Sequence, residues 1–232
     1  NREGRYGDGG AYRDPNSPYR SWYDFDPKYK GGYRSWWGFE TLPEVNEENP
    51  SYVEFITGEG GVIDTWLRRG AAGFRLDVAD ELPDDFIEKI RAAVKRVSPE
   101  KFLLGEVWED ATTKYGFGQR RTYLLGKGLD SVMNYPFKNA VLDFVKGKPA
   151  EQAMGEILSI CEHYPAPAMD TALNFLSTHD TERALTVIAD EPANGRGREW
   201  QSGRCVTGEA YEEGMLRLRM AYAIIYTLPG VP

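Results

Sequence analysis

Three apolar segments of this chain each run into an acidic side chain, and helical sequence lies between them. The segments and their acids are 73–79 with Asp77, 102–107 with Glu106, and 172–177 with Asp180. An ionised carboxylate is costly to bury unless it is paired, so acids that repeatedly interrupt or end apolar runs indicate functional positions. This repeated order constrains both the fold and the place where a site can form.

The first of these segments contains a charge pair. Arg75 and Asp77 are two residues apart, which places both side chains on the same face of an extended strand. Such a pair is also what a purely structural ion pair looks like. The sequence Thr178-His179-Asp180 is likewise typical of a helix N-cap. The repetition at successive strand ends is what favours a shared site.

Hydrophobic periodicity predicts alternating helices and strands after residue 50. The predicted strands cover 73–79, 102–107, 129–135 and 172–177. The predicted helices cover about 50–67, 83–97, a short segment between 107 and 129, 136–146, 149–163 and 209–227. Gly230 is expected to cap the last helix, and a loop rich in Gly and Arg is expected over 190–208.

The first two helices have apolar stripes that predict their buried sides. The stripe of the first comprises Val53, Ile56, Val62, Ile63, Trp66 and Leu67. The stripe of the second comprises Phe86, Ile87, Ile90, Ala93, Val94 and Val97. Residues 1–50 are rich in Gly, Pro, Tyr and Asp, and we expect an irregular region whose aromatic side chains pack on something.

Alternation of this kind indicates an α/β fold with a parallel sheet and helical crossovers. A doubly wound sheet and part of a (β/α) barrel both satisfy the periodicity. Acids at the carboxyl ends of the strands favour the barrel, where active sites are built at that end. A doubly wound nucleotide-binding protein would need a glycine-rich phosphate loop after its first strand, and no such sequence follows any predicted strand.

Composition excludes several classes of partner. The formal net charge of −8 argues against nucleic acid, whose phosphates require a basic face. No apolar run reaches the roughly 20 residues that span a bilayer. Cys161 and Cys205 provide neither a disulfide framework nor metal-ligand spacing. The chain starts without methionine or a signal-peptide profile, and we expect it to be a fragment of a larger protein.

The acids have the chemistry required to cleave a glycosidic bond, which takes two carboxyl groups in opposite protonation states. Arg75 on the same face favours the ionised form of Asp77, which suits a nucleophile. Apolar neighbours around Glu106 indicate a setting that favours the protonated form, which suits a general acid that later acts as base. The dipeptide 179–180 adds groups that could hold sugar hydroxyls.

Four motifs, in this order, resemble signature regions of the α-amylase family, glycoside hydrolase family 13. They are Leu42-Pro43-Glu44-Val45-Asn46, Gly73-Phe74-Arg75-Leu76-Asp77-Val78-Ala79, Gly105-Glu106-Val107-Trp108 and Phe175-Leu176-Ser177-Thr178-His179-Asp180. Asp80-Glu81, Trp108 and the first motif are closest to the neopullulanase and cyclomaltodextrinase branch. The resemblance implies retaining cleavage of α-glucosidic bonds, mainly α-1,4, in starch-derived oligosaccharides, cyclodextrins or related α-glucans.

The resemblance also implies roles for individual residues. Asp77 is expected to be the nucleophile, Glu106 the acid/base, and Asp180 the carboxylate that binds and distorts the sugar. Arg75 is expected to hold the nucleophile and His179 to contact the same sugar. The remaining expected substrate contacts are Trp108, Asn134 and Tyr135.

The resemblance covers part of a (β/α)₈ TIM barrel. Residues 1–50 are expected to belong to the loop domain inserted after the third strand, and 51–232 to supply strands four to seven with their helices. The family's first signature region is absent from the sequence. We therefore expect the isolated fragment to be inactive or weakly active, and to self-associate through its unpaired strand edges.

The resemblance leaves some questions open. The usual calcium ligands are missing or outside the chain, so no cofactor is expected. The same covalent intermediate also supports transglycosylation. A non-catalytic binding subunit is a third alternative, although such relatives typically lose one of the three carboxylates. The branch and the lack of a disulfide framework favour the cytoplasm, whereas the sequence itself contains no targeting signal to decide the compartment.

Overall fold

The computed structural model describes residues 9–190 and 193–232. Its backbone divides into two compact units, Asn1–Ala72 with Asp85–Lys101, and Gly73–Asp84 with Phe102–Pro232. The expected domain boundary at residue 50 does not coincide with this division and stays a prediction. Residues 1–8 of the expected loop domain and residues 191–192 of the predicted loop lie outside the described residues.

Helices α1 (Pro50–Thr57), α2 (Val62–Arg68) and α3 (Asp84–Val97) form where the first apolar stripes occur. The Asn49 side chain accepts hydrogen bonds from the backbone N–H groups of Ser51 and Tyr52, at 3.1 and 3.2 Å, and so caps α1. The prediction of one helix over 50–67 is wrong, because the glycine-rich turn 58–61 separates α1 from α2. The C-cap residue of α1 is Gly58, which has extended angles, and Gly60 has φ +74° in the turn, a left-handed conformation that glycine adopts readily.

Burial in these helices follows the predicted stripes with one clear exception. Phe86, Ile87, Ile90, Ala93 and Val94 of α3 are all buried, as are Ile63 and Leu67 of α2. Val53, Ile56, Val62 and Val97 are half-buried. The expected burial of Trp66 is wrong, since the residue is 53% exposed.

Residues 9–49 form the expected irregular region, made of turns and isolated backbone bridges. Its aromatic rings pack on one another, as in the pair Tyr12 and Tyr33, whose ring centroids lie 5.5 Å apart. Trp37 and Phe39 stack on Trp36, with ring centroids 5.1 and 6.2 Å from it, although they remain 75% and 55% exposed.

The second unit contains the parallel sheet. The strands of the unit are β1 (Gly73–Leu76), β2 (Phe102–Gly105), β3 (Tyr115–Gly116), β4 (Gln119–Arg120) and β5 (Ser131–Val132). Strands β3 and β4 form a separate antiparallel pair. The sheet order is β1-β2-β5. Parallel bridges from Met133 to Leu173 and from Leu173 to Val231 continue it. Neighbours in the sheet thus follow chain order, as in a (β/α) barrel, and the predicted partial barrel is confirmed.

The second unit also contains helices. They are α4 (Tyr135–Val145), α5 (Ala150–His163), α6 (Ala166–Asp170), α7 (Ala184–Ala189), α8 (Arg198–Ser202) and α9 (Gly208–Ile225). Helix α4 packs against α5, α7 and α9. Its inward side is the centre of the core, with Phe137, Val141 and Val145 buried. Within the described ranges, none of the helices is both long and apolar enough to cross a membrane.

Three sequence predictions differ from these elements. The helical segment expected between 107 and 129 is the hairpin of β3 and β4. The strand expected over 172–177 is reduced to the bridges at Leu173. Helices α6, α7 and α8 are short and were not predicted, since each has too few residues to show a helical period.

Gly230 does not cap α9. The helix ends at Tyr226, which keeps right-handed angles. Gly230 has φ +108°, and a Cβ there would lie 2.7 Å from the carbonyl oxygen of Ala172. The glycine therefore permits close approach of the chain beside Leu173, where Val231 makes its bridge.

Candidate active site

The carboxyl ends of β1 and β2 bring Arg75, Asp77 and Glu106 together. Arg75 Nη1 forms a short ion pair with Asp77 Oδ1. Arg75 Nη2 lies 3.0 Å from Glu106 Oε2, an ionic contact whose angle is not that of a hydrogen bond. One guanidinium therefore lies between two carboxylates. The expected contact between Arg75 and Asp77 is present, although β1 already ends at Leu76.

Glu106 is buried, with only 2% of its surface exposed. Its Oε2 accepts a hydrogen bond from the Val78 backbone N–H at 2.8 Å. Its Oε1 accepts from Trp108 Nε1 at 3.0 Å and from the Tyr135 hydroxyl at 3.3 Å. The predicted apolar setting is therefore wrong. Polar groups surround this carboxylate, and most of them come from segments distant in the chain.

Val78 reaches Glu106 through an unusual backbone conformation. Its φ of +44° is left-handed, which is unfavourable for a β-branched residue. The conformation is retained where it aims the Val78 N–H at Glu106 Oε2, and strain of this kind concentrates at functional sites. Sequence reasoning missed Val78, because the contact uses a backbone group and leaves no side-chain signal.

Trp108 and Tyr135 form a stacked pair beside Glu106. Their ring centroids are 4.4 Å apart with 14° between the planes. Tyr135 also packs edge-on against Phe175 at 4.8 Å. Trp108 is 42% exposed, whereas Tyr135 is 1% exposed. The Trp108 ring is therefore accessible to a ligand, whereas the Tyr135 ring stacked on it is buried.

His179 and Asp180 lie in a turn and are open to solvent. His179 Nε2 is 3.1 Å from Asp180 Oδ2, and their side chains are 73% and 42% exposed. The backbone N–H of Asp180 donates to Thr178 Oγ1 at 3.2 Å. The alternative of a helix N-cap is excluded, because α7 begins at Ala184 and its N-cap residue is Arg183.

The charge of Asp180 acts on the same phenol that contacts Glu106. Burial raises the pKa of Tyr135, and the charges of Glu106 and Asp180 add to the increase. The adjacent Thr178 side chain acts in the opposite direction. Tyr135 is thus a common neighbour of the two carboxylates that follow β2 and Leu173.

Asn134 belongs to the scaffold and not to an open binding surface, in contrast to the expected substrate contact. It is fully buried. Its Oδ1 accepts from the backbone N–H of Phe137 at 3.3 Å and caps α4. Its Nδ2 donates to Asn174 Oδ1 at 2.9 Å, and Asn174 Nδ2 donates to the carbonyl of Pro229 at 2.8 Å. This amide ladder, Asn134–Asn174–Pro229, joins β5 to the two bridges that follow it.

The segment after Asp77 is held by the loop that follows β2. Asp80 pairs with Lys114 at 3.0 Å. The buried Arg121 donates to the carbonyl of Asp80 and to Asp84 Oδ1, both at 2.8 Å. Among the residues that the structure describes, no group of three or more His, Cys, Asp or Glu side chains is arranged to hold a metal ion. The expected independence from calcium stays a prediction.

Comparison with known proteins identifies the family. A profile described as "Alpha amylase, catalytic domain" matches residues 15–202. The chain belongs to the α-amylase family. This membership confirms the resemblance of the four motifs, and it agrees with a partial (β/α)₈ barrel.

Relatives within the α-amylase family act on several glucans according to their names. The chain is 34% identical to an amylopullulanase of Thermoanaerobacter thermohydrosulfuricus over 93% of this chain and 15% of that protein. It is 37% identical to a cyclomaltodextrinase of a Bacillus species over 64% of this chain and 25% of that protein. The chain thus spans a quarter or less of the length of these two relatives.

A solved α-amylase-family structure has the same fold. It is the type III pullulan hydrolase of Thermococcus kodakarensis, with a TM-score of 0.76 and 28% identity. The match covers 95% of this chain and 36% of that protein. The described residues therefore correspond to one part of a larger α-amylase-family enzyme fold.

Proposed function

We propose that this chain carries the nucleophile and the acid/base of a retaining glycoside hydrolase that cleaves α-glucosidic bonds. The observation that carries the proposal is the guanidinium of Arg75 between the carboxylates of Asp77 and Glu106. Retaining enzymes need two carboxyl groups close together, one that attacks the sugar and one that transfers the proton. Both carboxylates contact the Arg75 side chain, and this shared contact supports the proposal.

Asp77 is the proposed nucleophile because its carboxylate is accessible. Its side chain is 72% exposed and pairs with Arg75. The Arg75 guanidinium holds this carboxylate at the carboxyl end of β1. Asp77 attacks the anomeric carbon and forms a glycosyl ester, while the bond from that carbon to the leaving oxygen breaks.

Glu106 is the proposed acid/base because hydrogen bonds from Val78, Trp108 and Tyr135 hold its carboxylate in place. It protonates the leaving oxygen in the first step, and it removes a proton from water in the second. That water attacks the anomeric carbon and releases Asp77 as a carboxylate. Two inversions at the same carbon give a product with retained configuration.

Asp180 and His179 are the proposed contacts to the hydroxyl groups of the reacting sugar. Both are exposed, and their carboxylate and imidazole can accept and donate hydrogen bonds. Trp108 offers an exposed aromatic surface beside Glu106, on which a sugar ring can stack. These groups would act by binding, and not by proton transfer to the bond that breaks.

The proposed substrates are α-glucans, mainly α-1,4-linked oligosaccharides and cyclodextrins. The names of the relatives support this class, since they include a cyclomaltodextrinase and an amylopullulanase. The expected self-association of the isolated chain stays a prediction.

The full-length enzyme that contains this chain allows a direct test. A fluorinated glucosyl fluoride, whose glycosyl ester breaks down slowly, should label Asp77 in a peptide identified by mass spectrometry. Asp77→Asn should lose the label and lower kcat by at least about ten-thousand-fold. A label on another carboxylate would contradict the assignment of the nucleophile.

Glu106→Ala tests the second role with two substrates. Cleavage of maltotriose, which needs an acid, should fall by about a thousand-fold or more. Formation of the glycosyl ester from glucosyl fluoride, which needs no acid, should persist, and added azide should trap it as glucosyl azide of retained configuration. Equal loss on both substrates, without azide rescue, would reject Glu106 as acid/base. Glucose added as acceptor in the wild type separates hydrolysis from transfer by the products formed.

A further inference from the structure

The hydrogen-bonding capacity of the groups around Glu106 is asymmetric, and this has a consequence for its protonated state. Its carboxylate faces four groups: the Val78 N–H, the Arg75 guanidinium, the Trp108 N–H and the Tyr135 hydroxyl. The first three can only donate. The hydroxyl of Tyr135 can donate or accept, because its hydrogen rotates about the C–O bond.

An acid/base residue must exist in both protonation states during each turnover. All four groups satisfy the ionised form of Glu106. A proton on Oε2 would point at the donors Val78 N–H and Arg75. A proton on Oε1 would meet Trp108 N–H as a donor, but it could be accepted by Tyr135 once that hydroxyl turns its own hydrogen away.

We propose that Tyr135 is the positioning residue that makes the protonated form of Glu106 accessible, by accepting the hydrogen bond from Oε1. The inference rests on the proposed acid/base role of Glu106. A proton on Oε1 passes from there to the leaving oxygen of the substrate. Tyr135 itself neither gains nor loses a proton, and it does not touch the reacting bond.

The packing of Tyr135 suits this role. Its ring is stacked on Trp108 at 4.4 Å and packed edge-on against Phe175 at 4.8 Å, so the ring is fixed while the hydroxyl hydrogen can rotate. The Thr178 side chain interacts with that hydroxyl and lowers the pKa of Tyr135, and a threonine hydroxyl can accept a hydrogen bond as well as donate one. The charged groups around the site are Arg75 in β1, Asp77 after it, the pair 179–180, and Lys138, whose Nζ lies 5.9 Å from the centroid of the Tyr135 ring.

The test compares two variants that remove one hydrogen-bonding group each from Oε1. Tyr135→Phe keeps the ring and removes one of the four groups that face the ionised carboxylate, which keeps the contacts of Val78, Arg75 and Trp108. The protonated carboxyl loses its acceptor altogether, and this loss is the larger of the two. The alkaline limb of kcat/KM for maltotriose should therefore move to lower pH, by about one unit. Trp108→Phe removes a group that stabilises only the ionised form. Its alkaline limb should move in the opposite direction, by about half a unit or more.

Controls in the full-length enzyme separate this role from a structural one. Glycosyl ester formation from glucosyl fluoride, which needs no acid, should stay within about threefold of wild type in Tyr135→Phe. Thr178→Val should move the alkaline limb in the same direction as Tyr135→Phe, by a smaller amount. These two readouts would not follow from a loss of packing.

The outcomes distinguish the inference from the proposed function. If Glu106→Gln cleaves maltotriose normally, the acid/base assignment itself fails. If Glu106→Gln is inactive but Tyr135→Phe leaves the alkaline limb unchanged or moves it to higher pH, the inference about Tyr135 is overturned. Opposite shifts in Tyr135→Phe and Trp108→Phe would support it.

Discussion

Glu106 follows strand β2, and Asp180 follows the bridge residue Leu173 of the same sheet, yet the two carboxylates have opposite surroundings. Glu106 is buried and receives hydrogen bonds from Val78 and Tyr135, which are 28 and 29 residues away in the chain. Asp180 is exposed, and it contacts its neighbours His179 and Thr178. One carboxylate is thus positioned by long-range contacts, and the other by local ones.

The difference matches what each group would do in the proposed reaction. Proton transfer requires an acid/base within hydrogen-bonding distance of the reacting oxygen, so a fixed carboxylate is an advantage. A carboxylate that grips a sugar hydroxyl must first be reached by the substrate, so exposure is an advantage. Distant contacts provide rigidity, whereas a local turn provides access.

Among the variants that test this difference, Arg75→Lys should have the largest effect. It alters the cation that Asp77 and Glu106 share, which is distant from Glu106 in the chain. A lysine carries one compact charge and cannot reproduce the forked contact to two carboxylates. We expect kcat of the full-length enzyme to fall by about a hundred-fold, while KM changes less than about threefold. Arg217→Lys, in a surface pair with Glu213, is the matched control and should keep kcat. An unchanged kcat in Arg75→Lys would mean that the long-range contact has no catalytic importance.

Asn134→Ala tests whether long-range contacts also dominate stability. It removes the cap of α4 and leaves the buried Asn174 without its partner. The free energy of unfolding should fall by about 2 kcal/mol in urea denaturation of the full-length enzyme. Asn139→Ala, at an exposed position of the same helix, should stay within about 0.5 kcal/mol of wild type. Similar losses of stability in both variants would contradict a larger contribution from the long-range contacts.

Asp110 is an intermediate case, because it combines a local and a distant partner. Burial by itself would raise the pKa of Asp110, but hydrogen bonds from Thr112 and His163 lower it below its ordinary 3.8. The stabilisation is therefore complete above about pH 5 and is lost as the pH falls below 3.8 through the folded-state pKa.

Asp110→Asn should accordingly have the smallest effect of the three. We expect a loss under about 1 kcal/mol at pH 7, because His163 is largely exposed and the pair is screened. The difference from wild type should disappear near pH 3 in denaturation measured across pH. Asp143→Asn, in an exposed pair with Lys148, serves as the control. A difference that grows toward low pH would contradict the direction of the pKa shift.

Local patterns in the sequence were enough to predict much of the fold. The apolar stripe of α3 predicted its buried side, because a helical period depends only on spacing along the chain. The contact of Arg75 with Asp77 was predictable for the same reason, since two residues of one strand share a face. The parallel order of β1 and β2 followed from the helix between them.

Long-range contacts explain what could not be predicted. The surroundings of Glu106 were expected to be apolar because its sequence neighbours are, whereas its hydrogen-bond donors include Val78 and Tyr135. Asn134 has a polar side chain beside a strand, which is equally compatible with a ligand contact and with the cap it makes. The hairpin of β3 and β4 is too short to show a strand period.

The parallel pairings also indicate the order in which the sheet can form. The pair Leu173 and Val231 lies further apart along the chain than the pair Gly73 and Phe102. Loop-closure entropy grows only slowly with such distances, so later pairs are not much harder to form. A nascent chain leaving the ribosome can therefore add its sheet one strand at a time, each against an edge already synthesised.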